Sequence, residues 1–154
     1  MGLSLEFYAG DADAIGGAFT ECDFDRLQEG GIAHSYADLS LHIPIEDLDV
    51  LSEQMAILLG EPFVGFLDSL GRVVGGSEGE SGAQVVSPGW IRFAAKVPEI
   101  KVGELAKMWI DAASKKAGVE YADPSCAESA LLELVRLCGR AIEKKSSVVF
   151  AWYL

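Results

Sequence analysis

Three segments of the chain carry the hydrophobic pattern of β-strands. Apolar and polar residues alternate over residues 3–8, which predicts a strand near residues 2–8 with one buried and one solvated face. Residues 34–42 alternate in the same way and predict a second strand. Residues 148–154 are apolar without alternation, as expected of a strand that is covered on both faces. We therefore expect a small sheet with residues 147–154 near its centre.

Helices are predicted between these strands, because apolar residues recur there at intervals of three and four positions. Residues 63–70 also keep this spacing and predict a short helix, with a buried strand as the alternative. The other predicted helices cover residues 11–22, 23–27, 44–59, 88–97, 103–117 and 125–144. Together these elements predict a single α+β domain, residues 1–154, in which a small mixed or antiparallel sheet is covered by about six helices.

Glycine is concentrated in one segment between the predicted helices. Residues 71–89 hold six glycines, which favours a loop that moves more than the helices around it. Within this segment, the pairs Val73-Val74 and Val85-Val86 are placed to form a small hairpin at the base of the loop.

Charge is unevenly distributed along the chain. Residues 1–82 contain 16 acidic and two basic residues, whereas residues 83–154 contain 8 acidic and 10 basic residues. The net charge of -12 opposes any sequence-independent hold on a phosphate backbone, so nucleic acid is not expected as a partner. Such polarity predicts an acidic face that attracts basic proteins, and solubility is the alternative explanation for it.

One predicted strand carries a row of polar side chains on its solvated face. His34, Tyr36, Asp38, Ser40 and His42 alternate with apolar residues, so neighbours in the row are ~6.6 Å apart. The two histidines would then lie ~26 Å apart, too far to share a metal ion. Ser40 stands between Asp38 and His42, whereas a catalytic triad needs the histidine in the middle. The row predicts a ligand or partner groove, with an ordinary solvated strand face as the alternative.

No motif in the chain predicts a catalytic residue, a metal site or a cofactor. Gly75-Gly76-Ser77-Glu78-Gly79 matches the G-x-S-x-G pattern, but a nucleophile elbow needs a helix directly after the serine and a histidine further along the chain. More glycines follow instead, and both histidines precede the motif. The glutamates in this segment would also repel a phosphate group.

The cysteines and the start of the chain predict a cytoplasmic protein. Cys22, Cys126 and Cys138 are odd in number, lack C-x-x-C spacing and fall in predicted helices, which indicates reduced and mostly buried thiols. The first residues lack the features of a secretory signal, and no apolar run reaches the ~20 residues of a membrane span. We therefore expect no membrane partner.

Three short segments resemble the YfbM-like family of small bacterial proteins, whose function is unknown. They are Met1-Gly2-Leu3, the glycine pair Gly75-Gly76, and Val86-Ser87-Pro88 at the start of a helix. The resemblance implies an α+β fold and a bacterial cytoplasmic protein, and it implies no activity. The central Trp-His pair of that family is missing here, because no tryptophan precedes Trp90.

Two hypotheses about function follow from these patterns. The first is a cytosolic binding module whose acidic N-terminal part engages a basic protein, as immunity proteins do when they antagonise basic toxins. In this hypothesis Asp47, Asp49 and Glu53 lie on the exposed side of one helix and take part in docking. The alternative is a small enzyme that uses the row from His34 to His42, with residues 71–89 as a lid.

Overall fold

Five antiparallel strands form one open sheet in the computed structural model, which describes residues 3–121 and 123–154. The strands are β1 (Ser4–Gly10), β2 (Ala33–Asp38), β3 (Leu70–Gly75), β4 (Ser81–Val86) and β5 (Ser147–Tyr153). Their order across the sheet is β2-β1-β5-β4-β3, so β2 and β3 form the two edges. This confirms the predicted α+β fold and selects the antiparallel form of the sheet.

Among the described residues, six α-helices cover the sheet, in agreement with the predicted number of about six. They are α1 (Ala12–Thr20), α2 (Phe24–Gln28), α3 (Asp47–Leu59), α4 (Pro88–Ala95), α5 (Val102–Ala117) and α6 (Pro124–Lys144). Side chains of Asp11, Asp23, Ser87 and Asp123 accept a backbone N–H in the first turn of α1, α2, α4 and α6. Glycines with positive φ end α3 and α5.

The central position of β5 follows from its apolar sequence. Its residues pair with β1 on one side and with β4 on the other. Val148 and Phe150 pack in one core of the protein, and Val149 and Ala151 pack in the other, all at most 2% exposed. The prediction of a strand covered on both faces is therefore confirmed.

Two cores lie on opposite faces of the sheet. Helices α3 to α6 cover the larger core, in which the rings of Phe7, Phe66, Trp90 and Phe150 lie with centroids 5.0 to 6.2 Å apart. The indole Nε1 of Trp90 donates to Ser52 Oγ at 2.9 Å, so the buried polar atoms pair with each other. Helices α1 and α2 cover the smaller core on the other face.

Helix α1 approaches β3 through two glycines. A Cβ atom on Gly16 would collide with the carbonyl oxygen of Val74, and one on Gly75 would collide with the carbonyl oxygen of Gly16. Beside them, Gly17 faces open space. Close packing of α1 on the sheet therefore explains Gly16 but not Gly17.

The predicted helix over residues 63–70 is wrong. The chain is irregular from 61 to 66, makes a 3-10 turn at Leu67–Ser69 and then enters β3. Phe66 is fully buried in the larger core, whereas Phe63 is 50% exposed, so the apolar residues do not form one helical stripe. The backbone N–H of Leu67 instead donates to Asp49 Oδ1 at 3.0 Å, which ties the segment to α3.

The strand predicted over residues 34–42 is shorter than expected, because β2 ends at Asp38. Asp38 Oδ1 accepts the backbone N–H of Ser40 at 2.9 Å, and His42 adopts a left-handed φ of 59°. An aspartate that bonds to the backbone two residues on makes a turn, and this turn competes with continued strand pairing. The final alternating positions therefore leave the sheet.

The glycine-rich segment from 71 to 89 is mostly a β-hairpin rather than a loop. Strands β3 and β4 pair in it, with Leu70 opposite Val86 and Gly75 opposite Ala83, so the predicted hairpin is confirmed and longer than expected. Only residues 76–80 connect the two strands. Because β3 is the edge opposite β2, the hairpin lies across the sheet from residues 34–42.

Candidate functional site

A buried carboxylate receives three phenol hydroxyls on the face of the sheet covered by α1 and α2. Glu6 is 5% exposed. Tyr8 donates to its Oε2 at 2.5 Å, while Tyr153 and Tyr36 donate to its Oε1 at 3.1 and 3.4 Å. We call these four residues the glutamate–tyrosine cluster.

Three neighbouring strands bring the glutamate–tyrosine cluster together. Glu6 and Tyr8 are two positions apart in β1 and so share one face of the sheet. Tyr36 lies directly opposite Tyr8 in β2, and Tyr153 lies opposite Ser4 in β5. The cluster therefore depends on contacts between residues that are up to 147 positions apart in the chain.

The three phenols of the cluster stay protonated at neutral pH. Burial raises the pKa of Tyr8, and the hydrogen bond to Glu6 and its charge add to this shift. Burial and the Glu6 charge likewise raise the pKa of Tyr36. A hydrogen bond with Ser4 lowers the pKa of Tyr153, but burial and Glu6 outweigh it and the pKa is raised. The cluster thus presents hydrogen-bond donors to a carboxylate, which suits anchoring rather than proton abstraction.

The glutamate–tyrosine cluster should make folding sensitive to alkaline pH. Above the ordinary tyrosine pKa of 10.0 the unfolded chain loses phenol protons that the folded cluster retains. The stabilisation from the raised phenol pKa values is therefore fully present below pH 10. Above this pH the free energy of unfolding falls by ~1.36 kcal/mol per pH unit for each such phenol. Urea unfolding between pH 8 and 11.5 measures this slope. Tyr36→Phe should reduce the slope by about one phenol's share; an unchanged slope would contradict the assignment.

The polar row predicted on β2 is only partly present. Tyr36 joins the glutamate–tyrosine cluster, and exposed Asp38 follows it on the same face. Ser40 lies beyond the strand, where its Oγ accepts the backbone N–H of Leu5 at 3.0 Å. His42 is exposed in the turn after it. The turn at Asp38 thus separates the last two members of the row from the others.

His34 lies at the start of β2 and is hydrogen-bonded to two serine hydroxyls. Its Nδ1 lies 2.9 Å from Ser35 Oγ, and its Nε2 lies 2.7 Å from Ser146 Oγ. Burial lowers the pKa of His34, and the positive charges of Lys144 and Arg140 lower it further. The imidazole is thus neutral at pH 7 and pairs with two hydroxyls.

The acidic residues expected on the exposed side of α3 do not form a common surface. Asp47 is 3% exposed, because the first turn of α3 packs against α5 and Trp109 Nε1 donates to its carbonyl oxygen at 2.8 Å. Asp49 is half-buried and accepts the N–H of Leu67, so Glu53 is the one exposed member of the three. The predicted exposure of Asp47 is wrong.

A different acidic surface lies over α1, α2 and the β3–β4 connection. Thr20 Oγ1 in the last turn of α1 accepts the backbone N–H of Gly76 at 3.0 Å, which joins the connection to the helix. Arg26 pairs with Glu21 and Arg72 pairs with Asp13, both in exposed positions where ion pairs add little stability. We call the acidic face the set Asp11, Asp13, Glu21, Asp23, Asp25, Glu29, Glu78 and Glu80.

Partly exposed aromatic rings border the acidic face. Phe24 in α2 lies 6.0 Å from Tyr153 and 6.3 Å from Phe19, measured between ring centroids. Tyr36 lies 5.1 Å from Tyr8. Phe24, Tyr36 and Tyr153 are each half-buried, so part of each ring stays accessible. No local sequence pattern predicts this border, because its rings come from three distant segments.

The thiols are more exposed than predicted. Cys22 and Cys126 are exposed, and only Cys138 is buried, where desolvation raises its thiol pKa to about 12. Within residues 3–121 and 123–154, no three His, Cys, Asp or Glu side chains lie close enough together to hold a metal ion. Over the same ranges, no helix combines the length and apolar character needed to cross a membrane.

Comparison with known proteins adds no relative to this description. No family model matches the chain, and no similar curated protein or solved structure was found. The resemblance to the YfbM-like family therefore stays an expectation, and two residues that carry it, Met1 and Gly2, lie outside the described part of the chain.

Proposed function

We propose that this protein is a cytoplasmic protein-binding module that engages a basic partner through the acidic face. The observation that supports this most is the combination of eight carboxylates with accessible aromatic rings on one side of the sheet. One form of this function is antagonism of a basic toxin, as in immunity proteins. Such binding requires no catalytic residue.

The two parts of this surface have different roles in the proposal. The carboxylates steer a positively charged partner and raise the rate of association. The rings of Phe24, Tyr36 and Tyr153 supply rigid apolar contact area, and tyrosine is enriched among residues that dominate binding energy. Because Tyr36 and Tyr153 are held by Glu6, their hydroxyls are fixed before a partner arrives.

Charge reversal on the acidic face tests this proposal. The variant Asp25→Lys/Glu29→Lys/Glu78→Lys changes exposed side chains that form no ion pair with a described residue. A basic protein captured from the native host at low salt should associate with this variant about tenfold more slowly, with a smaller change in dissociation. Surface plasmon resonance measures both rates.

A matched control separates the acidic face from net charge alone. Glu53→Lys/Glu104→Lys/Glu133→Lys makes the same charge change at exposed positions on α3, α5 and α6. Its association rate should stay within about twofold of the wild type at 0.15 M salt, where charges beyond ~8 Å are screened. Equal losses in both variants, or capture that is indifferent to salt, would remove the proposed role of the acidic face.

The enzyme hypothesis receives less support from the geometry. It requires the row from His34 to His42 to act together, whereas the turn at Asp38 places Ser40 and His42 outside the strand. It also requires residues 71–89 as a lid, whereas most of this segment is paired in the sheet at the opposite edge. The enzyme hypothesis predicts that Asp38→Ala or His42→Ala abolishes a turnover found by substrate screening. It also predicts that the charge reversals leave this turnover unchanged.

A further inference from the structure

An apolar groove with two cations opens on the face of the sheet opposite the acidic face. It lies between α4, the end of α6 and the first residues of β5, and its volume is about 400 Å³. Val85, Pro88 and Ile142 supply accessible apolar wall, and Ile142 is 45% exposed. The groove is large enough for a small organic molecule, since ligand sites span ~300–1,000 Å³.

Charge in this groove is opposite in sign to that of the whole chain. Arg92 and Lys145 line it together with the hydroxyl residues Ser146 and Ser147, and none of the described residues that line it is Asp or Glu. Neither cation forms an ion pair with a described residue. In a protein of net charge -12, two unpaired cations beside apolar wall favour a ligand that is both anionic and apolar.

The backbone at Lys145 supplies an independent observation. Lys145 follows the last turn of α6 with a left-handed φ of 53°, a position where helices usually place glycine. Its N–H donates to the carbonyl of Ile142 at 3.2 Å, and the N–H of Ser146 donates to that of Ala141 at 2.9 Å. The turn thus needs only the backbone of residue 145, and strain of this kind in a non-glycine residue is concentrated at functional sites. The Lys145 side chain itself lines the groove.

We propose that this groove binds a small organic acid with an apolar chain or ring and one carboxylate. Arg92 and Lys145 pair with the carboxylate, Ser147 donates a hydrogen bond to it, and the apolar body lies against Val85, Pro88 and Ile142. This site is separate from the acidic face, so the outcome of its test does not depend on whether the proposed function is correct.

Titration of the full chain with octanoate tests the site. Chemical-shift changes in an ¹H–¹⁵N spectrum should map to residues 85–92 and 141–148, with a dissociation constant below about 1 mM. Octanamide and octylamine have the same chain without the negative charge and should bind at least about tenfold more weakly. Absence of octanoate binding at 10 mM, shifts elsewhere on the surface, or equal affinity for all three probes would overturn the proposal.

Two variants and a control separate recognition from folding. Lys145→Gly should raise the melting temperature by about 2–4 °C, because glycine adopts the left-handed conformation without strain, yet weaken octanoate binding about tenfold. Arg92→Gln should weaken binding by a similar factor. Lys144→Gln removes the neighbouring positive charge, which lies near His34 rather than in the groove, and should leave the affinity within about twofold. If Lys145→Gly binds octanoate as Lys144→Gln does, the lysine has no part in recognition and the proposal fails.

Discussion

Removal of residues 148–154 is expected to abolish cooperative folding. These residues form most of β5, which joins the β1–β2 pair to the β3–β4 hairpin. Val148, Val149 and Phe150 are at most 2% exposed, and burial of each such side chain stabilises the fold by ~1.5–3 kcal/mol. Together with the lost strand pairing, this loss is comparable with the roughly 5–15 kcal/mol that stabilises a whole domain.

Circular dichroism and thermal unfolding measure the effect of this truncation. The matched control removes Leu154 alone, which is 67% exposed and donates one backbone hydrogen bond to the carbonyl of Glu80. The control should fold with a loss of about 1 kcal/mol or less. A truncated chain lacking 148–154 that still melts cooperatively would show that β5 does not hold the two halves of the sheet together.

Gly16→Ala should destabilise the protein by about 3 kcal/mol, the upper range for overpacking a close contact. The new methyl group would collide with the backbone carbonyl of Val74, which cannot rotate away as a side chain can. Helix α1 would have to move off β3, and its buried Ile15 and Phe19 would lose contacts with the smaller core. The acidic face would shift with the helix.

Gly17→Ala is the matched control for this prediction. Gly17 lies in the same helix, and a methyl group there meets no atom within 4 Å apart from its chain neighbours and the backbone of its own helix. Because alanine favours the helix over glycine, this variant should gain about 0.5–1 kcal/mol. Urea unfolding measures both free energies of unfolding, and equal changes for the two variants would contradict the close approach of α1 to β3.

Burial of β5 was predictable from the sequence, but burial of Glu6 was not. Alternation over residues 3–8 predicted that Glu6 and Tyr8 would face solvent, and both are buried under the α1–α2 side. A hydrophobic pattern assigns polar residues to water unless a polar partner is known. Here the partners of Glu6 include Tyr36 and Tyr153, which lie 30 and 147 positions away. Contacts at such separations leave no local periodic signal.

Helical spacing was a good guide where it extended over several turns and a poor one where it was short. It located α5 and α6 within a few residues of their ends, because each has a buried stripe along its full length. Over residues 63–70 the same spacing arose from an irregular segment that inserts Phe66 into the core. Burial of Asp47 was missed because tertiary packing against Trp109 covers the start of α3.

The charge difference between the two parts of the chain predicted an acidic surface. The location of this surface could be identified only from the fold, because the exposed acidic residues come from α1, α2 and a connection about 50 residues later in the chain. Aromatic rings at its border, and the cations that share a groove on the other face, come from separate strands and helices. Composition thus predicted the sign of the surface charge, and the structure was needed to identify the residues that form the surface.

The place of β5 in the sheet also determines when the protein can complete its fold during synthesis. About 60 residues separate β4 from β5, so a ribosome that adds ~5–20 residues per second takes roughly 3–12 s to reach β5 after β4. During that interval the facing edges of β1 and β4 have no strand between them, and their apolar faces lack the core residues that β5 supplies. Unpaired edges of this kind favour aggregation. The nascent chain therefore carries these unpaired edges until residues 147–153 are available and the sheet closes in one late step.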